Sequence, residues 1–219
     1  GNLFSTTKDM NNPYANYTVD DLYGALENLK LSREAGAKYE YSNFGTGLLE
    51  HILALVSKRP FESLVTERIA TPLNMTDTKI HLDDEQAGRF AVGHNKAGKA
   101  TPYWDFPVFA GTGALRSTIQ DMVKFLNANL GLGDAPLGEI LSVCHEPRFV
   151  ESEQLQVGLG WHIVPLENDQ VIWHNGGTGG FNSFIGFVKE KQIGVVVLAN
   201  KSTDEVDRLA FKMLKMLAE

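Results

Sequence analysis

Ser5 and Lys8, in "GNLFSTTKDM", stand one helical turn apart near the start of this sequence. A hydroxyl and an amine at i and i+3 share one helix face, and an amine so placed can activate the hydroxyl as a nucleophile. Two other stretches carry groups suited to the same chemistry. Tyr41-Ser42-Asn43 stands at the mouth of an apolar run and offers a phenol for proton transfer and an amide for positioning. "WHNGGTGGFNSFIGF" places Gly176, Gly177, Gly179 and Gly180 between two β-rich runs, more glycine than a hairpin requires. Small residues let a ligand's main chain lie against a strand, and exposed N–H groups can hold an oxyanion. No G-K-[ST] follows the glycines, and the next element is a strand. A phosphate loop and a dinucleotide fingerprint are both excluded.

Each stretch also has a plainer reading. Tyr41 alone reads as core and Asn43 as a helix cap, and the glycines read as a turn. Ser5 needs a buried helix behind it, but "DMNNPYANYT" follows Lys8, where Pro13 turns Asn12 away from helix and no apolar period runs. Ten serines and thirteen lysines in 219 residues give about 0.6 accidental S-x-x-K pairs. The Ser5–Lys8 pair therefore reads as a coincidence.

The elements that must position these groups follow from period and capping. Residues 1–17 read as loop. "TVDDLYGALENL" starts a helix on Thr18 as cap, with Val19, Leu22, Tyr23, Leu26 and Leu29 at helical spacing. "YSNFGTGLLEHILALVSK" is a second helix, with Leu48, Leu49, Ile52, Leu55 and Val56 on one face. "PFESLVTERIATPL" is a third. Residues 77–110 have no clear period and read as a long functional loop, in which Trp104 is placed either to line a pocket or to pack as core or lid. "STIQDMVKFLNANL" is a helix capped by Ser117. From about residue 155, "VGLGWHIV", "QVIWHN", "FNSFIGFVK" and "IGVVVLAN" read as consecutive antiparallel strands. "STDEVDRLAFKMLKMLAE" closes the chain as a helix with Val206, Leu209, Ala210, Met213, Leu214 and Leu217 on one side. The fold class is α+β: a mainly helical region over 18–150, then an antiparallel sheet covered by a C-terminal helix over 151–219.

Composition sets the bounds. The chain is 43% hydrophobic and 21% charged, with a formal charge of −7. That suits a folded domain and disfavours nucleic acid as a partner. No apolar run has the length of a membrane span. Cys144 is the single cysteine, which rules out an intrachain disulfide and leaves the redox compartment open. His51, His81, His94, His145 and His162 have no ligand-like spacing, and no metal or other cofactor is implied.

Taken in order, Y-S-N before a helix, "IATPLNMTDT", "GTGALRSTIQDMVKFL", "GLGWHI", "HNGGTGGF" and "VVVLAN" form a series. The series resembles the serine β-lactamase-like superfamily: class C β-lactamases, D-alanyl-D-alanine carboxypeptidases, related esterases and D-aminopeptidases. The resemblance runs from about residue 18 to the end. It implies an incomplete β-lactamase/transpeptidase-like fold and acyl transfer by a serine, on an ester, a peptide or a β-lactam. Tyr41 falls on the family's Y-x-N tyrosine and would serve as general base, then general acid. Asn43 would hold the lysine and the substrate amide. His174, Asn175 and Gly176 fall on K-T-G, and Gly177 N–H would supply half of the oxyanion hole. Asn175, Gly176, Thr178 and Phe181 would line the substrate strand. H-x-G in place of K-T-G occurs in the peptidase and esterase branches. A neutral His174 points to esters or peptides rather than substrates chosen by a strong carboxylate anchor.

Ser5 lies closer to Tyr41 than the family's nucleophile does. The resemblance therefore implies that residues 1–17 follow the true serine–lysine helix, and that this chain is a C-terminal portion, inactive alone. Its partner would then be the missing N-terminal segment or another copy of the chain. Two alternatives are a non-catalytic penicillin-binding or sensor-like domain, and a minimised fold in which Ser5 and Lys8 do act. By family, a bacterial periplasmic or extracellular setting is expected, with the cytoplasm left open.

Overall fold

The computed structural model describes residues 9, 11–133 and 137–219; Ser5 and Lys8 lie outside the described residues. Helix α1 (Val19–Glu27) starts on a reciprocal cap: Thr18 Oγ1 accepts the Asp21 N–H, and the Asp21 carboxylate accepts the Thr18 N–H. Leu22 is its one fully buried side chain, packed with Tyr14, Tyr17, Val108 and Phe109.

Helix α2 (Asn43–Ser57) is capped by Ser42, whose Oγ accepts the Gly45 N–H at 3.0 Å. Asn43 is thus the first helical residue, not the cap, and its amide is left for other work. The apolar stripe expected to face the core does not. Leu48 packs against the Tyr14–Phe109 cluster, but Leu49, Ile52, Leu55 and Val56 are exposed. The buried side is Gly47 and Glu50. Phe109 takes the space over Gly47, where an added Cβ would overlap its ring.

The third helix is short. α3 (Phe61–Val65) passes into a π-turn over Thr66–Ala70. The expected loop over 77–110 holds α4 (Asp84–Arg89) and a two-stranded hairpin of β1 (Gly93–His94) and β2 (Ala100–Thr101), followed by a 3₁₀ turn, Ala110–Thr112. Helix α5 (Ile119–Leu130) is capped by Thr118, not Ser117, which instead bonds Thr78 Oγ1 at 2.8 Å. Helix α6 (Gly138–Cys144) had no expectation in the sequence.

The main sheet runs in chain order: β3 (Phe149–Ser152), β4 (Leu155–Val157), β5 (His162–Pro165), β6 (Gln170–Thr178), β7 (Phe181–Val188) and β8 (Ile193–Ala199), every pair antiparallel. One face receives Leu126 and Leu130 of α5 against Ile163, Ile172 and Phe187. The other receives α7 (Glu205–Ala218), whose Val206, Ala210 and Leu214 bury against Phe184 and Val195. Burial of each such aliphatic or phenyl group stabilises by about 1.5–3 kcal/mol. Leu209, Met213 and Leu217, expected on the same side of α7, are exposed. Helices and antiparallel sheet make the fold α+β. Among the described residues, no helix is long and apolar enough to cross a membrane.

Candidate active site

Strand alternation decides what β6 offers to each face. His174, Gly176 and Thr178 pair across β7 with Ile185, Ser183 and Phe181. Trp173 and Asn175 turn the other way, toward α7. Trp173 meets Phe211 with ring centroids at 5.0 Å, and Asn175 Nδ2 donates to Asp207 at 2.6 Å. The Asn175 side chain is therefore committed behind the sheet, and only its main chain is available to a substrate. A two-residue turn, Gly179-Gly180, joins β6 to β7. Gly180 has φ +78°, and a Cβ at Gly179 would lie 2.6 Å from Pro102 O and 2.7 Å from Trp104 Cδ1. Glycine is required there by contact as well as by conformation.

The cleft in front of β6 has a volume of about 1000 Å³. Tyr41, Asn43, His174, Asn175, Gly176, Gly177, Thr178 and Phe181 all border it, although they come from three separate elements. Asn43 reaches it from the first turn of α2 and donates Nδ2 to Tyr14 Oη at 3.3 Å. Burial raises the Tyr14 phenol above its ordinary value, with that bond acting in the opposite sense. Tyr41 is 56% exposed, and its ring centroid lies 6.2 Å from that of His174. Burial lowers the His174 imidazole, with a backbone hydrogen bond at Asn175 acting the other way, so the ring is held toward its neutral form.

Behind His174 stands a group with no role in the sequence reading. His162 of β5 stacks on His174 with centroids at 5.4 Å, and its Nε2 is 3.2 Å from Tyr39 Oη. Burial, then the neighbouring His174 charge, lowers the His162 imidazole. Its Nδ1 is buried without a partner among the described residues. The opposite wall is aromatic: Tyr14 stacks on Phe106 at 4.8 Å and meets Trp104 edge-on at 5.6 Å. Trp104 both lines the cleft and packs there. Register pairs His162 with Trp173, not with His174, across β5 and β6, and spacing along the chain carries no signal for the stack.

A phenol, an amide, an imidazole and the main chain of β6 thus border one cleft. The Beta-lactamase family model matches residues 2–218. The chain belongs to the Beta-lactamase family. A beta-lactamase of Pseudomonas fluorescens is 25% identical over 207 residues, covering 80% of this chain and 58% of that protein. The D-alanyl-D-alanine-carboxypeptidase/endopeptidase AmpH of Escherichia coli is 28% identical over 200 residues, covering 84% of this chain and 51% of that protein. The chain thus spans about half the length of these relatives. Among solved structures, a class C beta-lactamase in complex with cefoxitin superposes with a TM-score of 0.84 at 23% identity, covering 93% of this chain and 66% of that one. A beta-lactamase/D-alanine carboxypeptidase from Pseudomonas syringae gives 0.83 at 22% identity, with the same coverage. At these identities the superpositions establish the fold.

Proposed function

We propose that this chain carries the proton-transfer and substrate-strand half of a serine hydrolase that works by acyl transfer on an ester, a peptide or a β-lactam. The observation that supports this most is the meeting of Tyr41, Asn43, His174 and Gly176–Thr178 on one cleft. Tyr41 takes the proton from the attacking serine and returns it to the leaving group. Asn43, next to Tyr14, orients the substrate amide. The Gly177 N–H receives the developing oxyanion, and removing one such donor costs such enzymes about 10²–10³ in rate. The substrate main chain lies along β6, with Thr178 and Phe181 beside it.

A phenol transfers protons at neutral pH only beside a cation that stabilises the phenolate. His174 is held toward neutrality, so the serine's partner lysine is left to supply that charge. On this reading Ser5 and Lys8 do not act as this pair, and the nucleophile is supplied by another part of the hydrolase. The chain by itself then turns over neither p-nitrophenyl acetate nor nitrocefin above background, and Ser5→Ala changes nothing. Turnover by this chain that disappears in Ser5→Ala would overturn that assignment. In a polypeptide carrying the family's serine and lysine, Tyr41→Phe lowers kcat by about 10²–10⁴.

A further inference from the structure

Among the described residues three basic side chains border the cleft: Arg89, Arg116 and His174. They are not equivalent. Arg89 is already matched, its guanidinium 2.8 Å from Asp77 Oδ1 and 3.9 Å from Glu85 Oε1. His174 is held toward its neutral form. Arg116, just before α5, makes no ion pair among the described residues. The one side-chain hydrogen bond it makes there runs from a terminal nitrogen to the Ile80 carbonyl. That contact fixes one corner of the planar fork and leaves the other N–H groups for a ligand.

The guanidinium also lies over aromatic rings. Its central carbon lies 4.8 Å from the centroid of Tyr103 and 5.7 Å from that of Phe90. Phe90 in turn packs against Phe181, at the end of the substrate strand, at 5.4 Å. A guanidinium lying over rings and hooked at one corner has lost most of its rotamer freedom before any ligand arrives. Little further ordering is then needed to bind a carboxylate through two parallel hydrogen bonds. The one carboxylate bordering the cleft among the described residues, Asp77, is bound to Arg89, so an incoming anion meets little repulsion.

We infer that Arg116 is the anion anchor of this cleft and selects substrates carrying a carboxylate beside an apolar or aromatic group, the group resting on Phe90 and Phe181. The inference rests on the reading of the cleft as a substrate site. It moves the carboxylate preference from the K-T-G position, where His174 stands, to the opposite wall.

The test uses the chain itself, with phenylacetylglycine as the carboxylate probe and its neutral amide, phenylacetylglycinamide, as the isostere. Resonances of Gly176, Gly177 and Thr178 report filling of the cleft, and the Arg116 Nε–H resonance reports the anchor. The carboxylate is expected to bind about tenfold more tightly than the amide and to move the Arg116 resonance. Arg116→Gln should bring the ratio to about one with amide binding kept, and Arg116→Lys should retain part of it. An unchanged ratio in Arg116→Gln, with the strand glycines still responding, overturns the anchor and leaves the cleft standing. Failure of both probes to move Gly176–Thr178 overturns the cleft reading and the anchor with it. Should the Gln variant lose its fold with the Ile80 contact, the wild-type chain decides: carboxylate binding that leaves the Arg116 resonance still overturns the inference.

Discussion

His162 and His174 lie ring against ring, with centroids 5.4 Å apart and planes 15° from parallel. The groups around them are Tyr39, Tyr41 and Trp173, with Glu151 acting on Tyr39. Among the described residues no fixed cation separates the two rings, so a proton on His174 opposes a second on His162. In a ¹H–¹³C titration both rings should have midpoints below the ordinary 6.5. His174→Asn should raise the His162 midpoint. A His162 midpoint that does not move would show that the stack is absent in solution.

Glu50 is buried on the inner face of α2 against the Ala110–Thr112 turn, and its Oε2 has no hydrogen-bond partner among the described residues. Burial pushes its carboxyl up to about 7, against backbone hydrogen bonds at Gly111 and Ala110 that lower it. The folded chain therefore holds this proton more tightly than the unfolded chain. The contribution to stability is complete below the unfolded value of 4.5 and is lost as pH rises through about 7. Urea unfolding should show stability declining over that window. Glu50→Gln should flatten the decline and be more stable than wild type at pH 8, by about 1–3 kcal/mol. Equal slopes in both chains would remove Glu50 as the cause.

Gly47 sits in the middle of α2, where alanine would favour the helix by about 1 kcal/mol. The added methyl would lie 1.7 Å from Cδ1 of Phe109, which is 1% exposed. Overpacking of that kind costs about 1–3 kcal/mol or more, so the clash outweighs propensity. Gly47→Ala should lower the urea midpoint. A raised midpoint would mean that the turn carrying Phe109 yields freely.

Two apolar surfaces stand open: Leu49, Ile52, Leu55 and Val56 on α2, and Leu209, Met213 and Leu217 on α7. β8 ends the sheet order, with its outer edge unpaired among the described residues. Exposed patches and open edges both promote association. Light scattering should find species larger than the 24.1 kDa chain at micromolar concentration. Leu55→Lys with Val56→Glu should reduce them. A wild-type chain that stays monomeric at those concentrations would count against this.

The strand series, the capped first helix and the glycine-rich hairpin were legible because each depends on neighbours in sequence. Faces were less legible. α2 is apolar nearly all round, so period alone could not tell that Gly47 and Glu50, not Leu49 and Ile52, turn inward. α6 is short and lacks a side-chain cap, which left no local signal. Alternation along β6 was readable: Asn175, next to His174, had to face away, and its bond to Asp207 follows. Arg116 and His162 were not readable, since their roles come from Phe90, Tyr103 and His174, distant in the chain.

The two-residue turn at Gly179-Gly180 also works as a ruler. It fixes Thr178 opposite Phe181, and so fixes which β6 side chains look into the cleft. Insertion or removal of one residue between His174 and this turn would present Trp173 or Asn175 to the substrate and send His174 toward α7. The same turn is pinned from outside, where the His94 N–H meets the Gly180 carbonyl at 3.1 Å. Length changes are therefore barred from this hairpin. The exposed tip between β1 and β2, at residues 95–99, is where the cleft's rim can lengthen or shorten and still leave the chemistry in phase.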